Sequence, residues 1–288
     1  MLSGLKIQFH SFRWGAWLGW QIESNWTDPW RFFVYVLIKP LSGVLILLCM
    51  FQAARTTMMA SVSPAMFYYT YVSSACYLII GAVMFGTSWA VITDREHYGM
   101  LKYIYLSPVR LRGYLLGRGT AGGVRAGLGT VVLLAFGSLL GIPLTLSGIA
   151  WGWLVVFLAL GAVMFAALGL ILAGAMLNLA RHSGFLSEGV AGALYLFSGA
   201  VFPIAVLPEW LQPLSWWLPP TYWLEGMRRC LLTEEGTREP SLAHFATVEL
   251  AAILAVGATA LLVFAQLFFT RCERRAWRKG KFDETSGY

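Results

Sequence analysis

Apolar residues gather into six long runs, at about 30–54, 67–92, 119–141, 150–177, 184–206 and 247–270, separated by short polar interruptions. A bilayer core of about 30 Å is crossed by about 20 helical residues. An unpaired backbone in lipid is too costly for a lone segment that is not helical. The pattern therefore predicts an all-α integral membrane protein, with a six-span transmembrane domain over residues 30–270.

The interruptions carry structure of their own. Residues 1–29 interleave Trp14, Trp17, Trp20 and Trp26 with Lys6, Arg13, Glu23 and Asp28. The stretch is too polar to span and suits an amphipathic helix in the headgroup region, where indole rings settle. Asp28-Pro29 then reads as a cap and first-turn proline opening the first span. Between the second and third runs lies REHYGMLKYIYLSPVR, residues 95–110. Thr93 and Glu96 have capping-box spacing. Tyr98, Leu101, Tyr105 and Pro108 recur every three or four residues as an apolar stripe, with Arg95, Glu96 and Lys102 off it. Ser107-Pro108 ends the helix, because a residue before proline avoids the helical region. A short amphipathic helix at the membrane surface is expected, lying on headgroups or docking on a partner. Before the last span, residues 207–246 are rich in Trp and Pro and then in Glu225, Glu234, Glu235 and Glu239. This stretch reads as a re-entrant or interface-bound hairpin, packed against protein.

Composition agrees with a membrane protein: 58% of the 288 residues are hydrophobic and 12% are charged, about half the charged share of soluble domains. The net charge of +7 reports sidedness rather than nucleic-acid binding, because Lys and Arg gather on the cytoplasmic side. Sixteen of the 21 fall in segments that share a side when the N-terminus is inside, among them Lys6, Arg13, Arg110, Arg112, Arg181 and the basic residues of 271–281. Only Arg55, Arg228, Arg229 and Arg238 fall opposite, and Lys39 lies within the first span. Both termini are therefore expected in the cytoplasm, with residues 271–288 as a basic tail. The first 30 residues lack the apolar core and cleavage site of a signal peptide. Cys49, Cys76, Cys230 and Cys272 lie in unlike compartments and form no intrachain disulfide framework, with Cys230 either free or paired across a dimer.

Catalytic chemistry is not visible. GRGTAG at 117–122 has dinucleotide-loop spacing but no βαβ unit around it. Gly119, Gly123 and Gly127 fit better as a small-residue stripe for close helix packing. There is no phosphate-binding G-x-x-x-x-G-K-[ST] loop, so any ATP would be bound by a partner. His10, His97, His182 and His244 are scattered, and no metal site is expected. Three charges fall inside or near spans and are candidates for a polar pathway: Lys39, Arg125 and Glu188. Lys39 and Arg125 are also placed to snorkel to the headgroups, and Glu188 to sit in the field of a helix N-terminus.

EHYGMLKYIYLSP, with Glu96, Gly99, Leu101 and Ser107-Pro108, resembles the first cytoplasmic loop of permease subunits of type-two ABC exporters. FSGAVFPIAVLPEWLQPLSWWLPPTYWLEGMRR at 197–229 resembles that family's second signature, through Ser198-Gly199, Phe202-Pro203, Leu207-Pro208, Trp210-Leu211, Pro220, Tyr222 and Arg228. Pro40 in the first span also agrees; Met100, Lys39 and Leu218-Pro219-Pro220 depart from the usual pattern. The resemblance implies a permease in the cytoplasmic (inner) membrane, working with two copies of a separate ABC ATPase that bind ATP and Mg, and with a second permease, as a homodimer. The short helix becomes a coupling helix for the ATPase, through Arg95, Glu96, Tyr98, Gly99, Leu101, Lys102, Tyr105, Ser107 and Pro108. Spans two and five would line the substrate cavity, through Tyr69, Ser73, Cys76, Ile80 and Met84, and Leu194, Phe197, Ser198 and Val201, although packing explains such a stripe equally well. The cargo implied is hydrophobic or amphiphilic, a drug, lipid or lipid-linked molecule, or alternatively a polysaccharide. A secondary carrier or channel is the reading from another class.

Overall fold

The computed structural model describes residues 2–24, 64–179, 183–232 and 239–282, with Val34, Ile38 and most of 41–53. Lys39, Pro40 and most of the first apolar run lie outside the described residues. The order is α1 (Leu2–Ser24), α2 (Leu41–Ala53, described in part), α3 (Pro64–Ile92), a π-helical turn (Thr93–His97), α4 (Leu101–Leu106) and α5 (Leu111–Leu139). There follow α6 (Trp151–Asn178), α7 (Ser183–Phe197), α8 (Gln212–Trp217), α9 (Pro219–Leu231) and α10 (Thr247–Arg278). No strand occurs among the described residues.

Four of these helices are long and apolar enough to cross a membrane: α3 with its π turn, α5, α6 and α10. The expected fifth span, 184–206, is instead a 15-residue helix, about 22 Å long at 1.5 Å per residue. It stops because Gly199 takes φ +73 and turns the chain, a conformation that only glycine adopts freely. The basic tail is also shorter than expected. α10 runs on through the cationic stretch to Arg278, with Arg275 and Arg278 in its last turn, where cations suit the helix dipole. At its start the Glu249 carboxylate accepts the Ala246 N–H at 2.7 Å.

α3 is the hub, with α5 and α6 along it and α7 and α9 against it. Two apolar cores result. One joins Tyr71, Cys76, Ile80 and Met84 of α3 to Phe157 and Phe165 of α6, Trp223 of α9 and Leu254 of α10. The other joins Val91, Leu101, Tyr114, Leu177 and Phe269, at the end where residues 93–110 turn back. Trp223 is seated by Gly161, where any side chain would overlap the indole, and its Nε1 donates to the Phe157 carbonyl at 2.7 Å.

A helix, α1, does form within the expected residues 1–29, and its partner is α5. The two run parallel, from Gln8 beside Gly113 to Glu23 beside Arg125. Side chains at Gly15 or Gly117 would overlap the opposite backbone, so this is a small-residue seam of the kind that lets helices touch. Trp14, Trp17 and Trp20 are left exposed. The glycine stripe expected at 119, 123 and 127 is divided. Gly119 and Gly123 meet Thr87 and Val83 of α3, whereas Gly127 faces open space.

Candidate functional site

The segment after α3 is built by a change of helical pitch. Instead of the capping box expected at Thr93 and Glu96, Thr93 Oγ1 bonds back to the Trp89 and Ala90 carbonyls at 3.1 and 3.3 Å, and the helix widens. The Tyr98 amide reaches the Thr93 carbonyl at 3.0 Å, and that of Met100 reaches Asp94 at 2.8 Å. Gly99, at φ +59, reverses the chain into α4. The Ser107 hydroxyl closes α4 on the Ile104 carbonyl at 2.6 Å, and the Arg110 amide then donates to Ser11 Oγ of α1 at 2.9 Å.

The π turn points consecutive residues to different neighbours. Asp94 Oδ2 accepts the Tyr114 hydroxyl at 2.7 Å, and its Oδ1 lies 3.5 Å from Arg118 Nη2. Arg95 turns the other way. Its guanidinium donates to the Met176 and Leu179 carbonyls at the end of α6, at 3.3 and 3.0 Å, and pairs with Glu96 at 3.2 Å. A cation at the last carbonyls of a helix satisfies acceptors that have no intrahelical partner.

Several expected coupling residues are therefore anchors. Arg95, expected on a free surface, is 2% exposed, and Leu101, expected on the outer stripe, is buried in the second core. Tyr105 is half-buried, 4.4 Å from the Phe282 ring just past α10; burial, with Glu273 nearby, raises its hydroxyl pKa. Glu96 is half-buried against Arg95. Lys102 sits 5.5 Å above the Tyr103 ring. Gly99 and Pro108 are exposed, and Ser107 is half-buried. The free apolar surface is formed by Tyr98, Tyr103 and Leu106, at 53%, 66% and 82% exposure. Tyr103 and Leu106 lay outside the expected stripe, which assumed one continuous helix from 95 to 108. The break at Gly99 rotates α4 relative to the turn before it.

The expected cavity stripe is a packing stripe. Tyr69, Ser73, Cys76, Ile80 and Met84 are all buried within the chain, because this face of α3 is the one covered by α6 and α9. Leu194 and Ser198 are buried, whereas Phe197 and Val201 are half-exposed. The α3–α7 seam is held instead by Ser74 to Tyr195 at 3.0 Å, Tyr77 to the Ala191 carbonyl at 2.6 Å, and Ser88 to Ser187 at 3.0 Å. Of the expected pathway charges, Arg125 pairs with Glu23 of α1 at 3.0 Å, Glu188 is exposed on α7, and Lys39 lies outside the described residues.

A charged cluster that the sequence reading did not assemble sits at the opposite end. Arg228 of α9 donates through Nε and Nη2 to Glu225 Oε2 at 3.1 and 2.9 Å. Its Nη1 reaches Ser73 Oγ at 2.7 Å and the Gly199 carbonyl at 3.2 Å, and the guanidinium lies 4.0 Å over the Tyr69 ring. Arg229 bonds Glu225 Oε1 at 2.7 Å and the Leu242 and Phe245 carbonyls at 2.8 and 2.6 Å. Glu239 accepts from Tyr69 at 2.5 Å and from the Ile204 amide at 3.1 Å. Two cations and two carboxylates thus tie α9, α3, the turn after α7 and the strap before α10 into one knot. The spacing Glu225–Arg228–Arg229, one helical turn, was the available signal. Being fully paired, the cluster suits rigidity rather than catalysis. Among the described residues no three metal-ligating side chains come together.

The anchored turn with Tyr98, Tyr103 and Leu106 exposed at its tip, the knot around Arg228, and four helices long and apolar enough to cross a bilayer describe a membrane component. No curated protein matches the chain. The family model for the ABC-2 type transporter matches residues 20–232, well over half of the 288, and spans both signature stretches. The chain belongs to the ABC-2 type transporter family, the membrane component of such transporters.

Proposed function

We propose that this ABC transporter permease is the translocating subunit of an ATP-driven exporter for a hydrophobic or amphiphilic molecule. In this reading two copies form the pathway, and two separate ABC ATPases bind ATP and Mg and dock on the exposed face of residues 93–108. Both termini and that face lie in the cytoplasm, in keeping with the Lys and Arg asymmetry.

One observation carries the reading. The segment is soft nowhere that matters for pushing: Asp94 and Arg95 fasten it to α5 and to the end of α6, while Tyr98, Tyr103 and Leu106 stand free at its tip. A contact made at the tip is passed to two long helices as a rigid-body movement, because packed interiors shift between discrete arrangements rather than deform smoothly. The free apolar tip also suits docking, since exposed aromatic and aliphatic groups that cluster mark interaction sites.

The test is reconstitution of the chain with its ATPase in vesicles. Tyr103→Asp and Leu106→Asp should each abolish co-purification with the ATPase and ATP-dependent export, and leave the melting temperature unchanged because neither side chain is packed. Full export by both variants would remove the docking role. Parallel uptake assays with a lipophilic dye and with a lipid-linked glycan separate the two cargo classes.

A further inference from the structure

The outer side of α10 is a single stripe. Val256, Ala260, Val263 and Leu267 recur every three or four residues and are all exposed. The stripe runs on in register into Arg271, Arg274 and Arg278, which are exposed as well. With 3.6 residues to the turn, the three arginines lie within about 40° of Leu267 around the helix axis. The opposite side stays packed through the change. Phe269 and Ala276 are buried in the second core, and the Phe282 ring lies 4.4 Å from that of Tyr105. Residues 250–270 carry no charge and rise about 32 Å, the depth of a bilayer core. Arg271 therefore stands where the hydrocarbon ends, with Arg274 and Arg278 about 5 and 10 Å beyond it, through the headgroup layer. Trp277 is exposed on the flank of the stripe, at the depth where indoles settle.

Positive charge is in surplus here. Residues 271–281 hold six cations against Glu273, and Asp283 and Glu284 leave the balance positive. Glu273 is half-buried off the stripe, where Arg110 and Arg112 line the same small pocket. Arg271, Arg275, Arg278 and Lys279 form no ion pair among the described residues. We infer that the cationic end of the stripe binds anionic phospholipid headgroups, those of the lipids whose chains cover Val256 to Leu267. Guanidiniums take phosphate oxygens in charge-assisted pairs, and a cation cluster just past a spanning helix suits an anionic leaflet. A choline headgroup cancels its own phosphate, so the surplus selects for headgroups of net negative charge. An acidic protein surface would have to reach a face already turned toward acyl chains. Because Ala276 and Phe282 fasten the same end of α10 beside Tyr105, bound lipid steadies the support of α4. The leaflet is the cytoplasmic one in the proposed orientation; the contact itself does not rest on that reading.

The full chain in a neutral detergent is titrated with dioleoyl phosphatidylglycerol, with dioleoyl phosphatidylcholine and with sodium phosphate, following thermal unfolding and, by native mass spectrometry, retained lipid. Phosphatidylglycerol should raise the midpoint saturably and be retained, and the other two should do neither. Arg271→Gln/Arg278→Gln, on the stripe, should weaken half-saturation about 25-fold, the product of two single-cation losses. Arg275→Gln/Lys279→Gln, which removes the same charge off the stripe, should weaken it by no more than about fivefold. Arg271→Lys/Arg278→Lys should bind nearly as the parent does, and covers the case in which the glutamine variant fails to fold. Equal stabilisation by phosphatidylcholine or by sodium phosphate would overturn the proposal. So would equal losses from the two glutamine pairs. Loss of ATPase co-purification by the on-stripe pair, with lipid retention unchanged, would assign the face to the ATPase and overturn it too.

Discussion

Arg228 is bonded on three sides: to Glu225, to Ser73 and to the Gly199 carbonyl. Its removal takes two donors from the buried Glu225 carboxylate and leaves Arg229 as the one cation of the cluster against two buried carboxylates, Glu225 and Glu239. Arg228→Met should therefore lower stability by about 3–5 kcal/mol, read as a fall of several degrees in melting temperature. Arg228→Lys should recover little, since an ammonium cannot make the paired Nε and Nη2 bonds to one carboxylate. Gly99 matters differently. Nothing lies within 4 Å of where its side chain would be, but φ is +59. Gly99→Ala should cost about 1–2 kcal/mol through backbone strain alone and loosen the turn that presents Tyr103. Hydrogen exchange over residues 98–106 would register that loosening. Neither role was legible from residue type. Arg228 and Arg229 were counted among the charges of the outer segments, and Arg95 among the coupling-helix residues off the apolar stripe, because composition says nothing of which carbonyls or carboxylates the fold brings to them.

Elements tell a more mixed story. The positions of α3, α5, α6 and α10 follow directly from apolar runs, because length and hydropathy are what a bilayer selects. The break in the fifth run was hidden by the same signal. Residues 184–206 stay apolar straight through Gly199, where the backbone turns. Helical periodicity also names a face without naming its neighbour. The stripe from Tyr69 to Met84 was rightly a stripe, but it faces α6 and α9 inside the chain. Of the glycine stripe read at 119, 123 and 127, Gly119 and Gly123 do pack closely, toward α3, whereas Gly127 does not, and the seam of Gly113 and Gly117 toward α1 was not read. The division is testable. Gly117→Val drives its side chain into the Phe12 carbonyl and should release α1, seen as new protease cleavage within residues 2–24. Gly127→Ala meets open space and should be neutral or stabilising by up to about 1 kcal/mol, the helix-propensity gain of Ala over Gly.

At the scale of the whole molecule, two polar anchorages stand at opposite ends of α3, Asp94 with Arg118 and Arg95 at one, Tyr69 and Ser73 with Arg228 at the other. The helix between them is buried along most of its length. It is the natural strut between the exposed tip of residues 98–106 and the segment of α8 and α9. Sidedness is checked with single cysteines in a cysteine-free chain. Tyr103→Cys should resist an impermeant maleimide added to intact cells, and Trp210→Cys should react. The reverse pattern would invert the assigned orientation.

The parallel seam between α1 and α5 bears on how such a chain is made. Its two halves, Gly15 and Gly117, are separated by about a hundred residues, and ribosomes add roughly 5–20 residues per second. During synthesis, α1 therefore waits several seconds with its tryptophans and glycines unsheltered before the groove that receives it exists. Any factor that shields nascent amphipathic helices has its window there, and slowing elongation between codons 24 and 111 should lengthen the dependence on it.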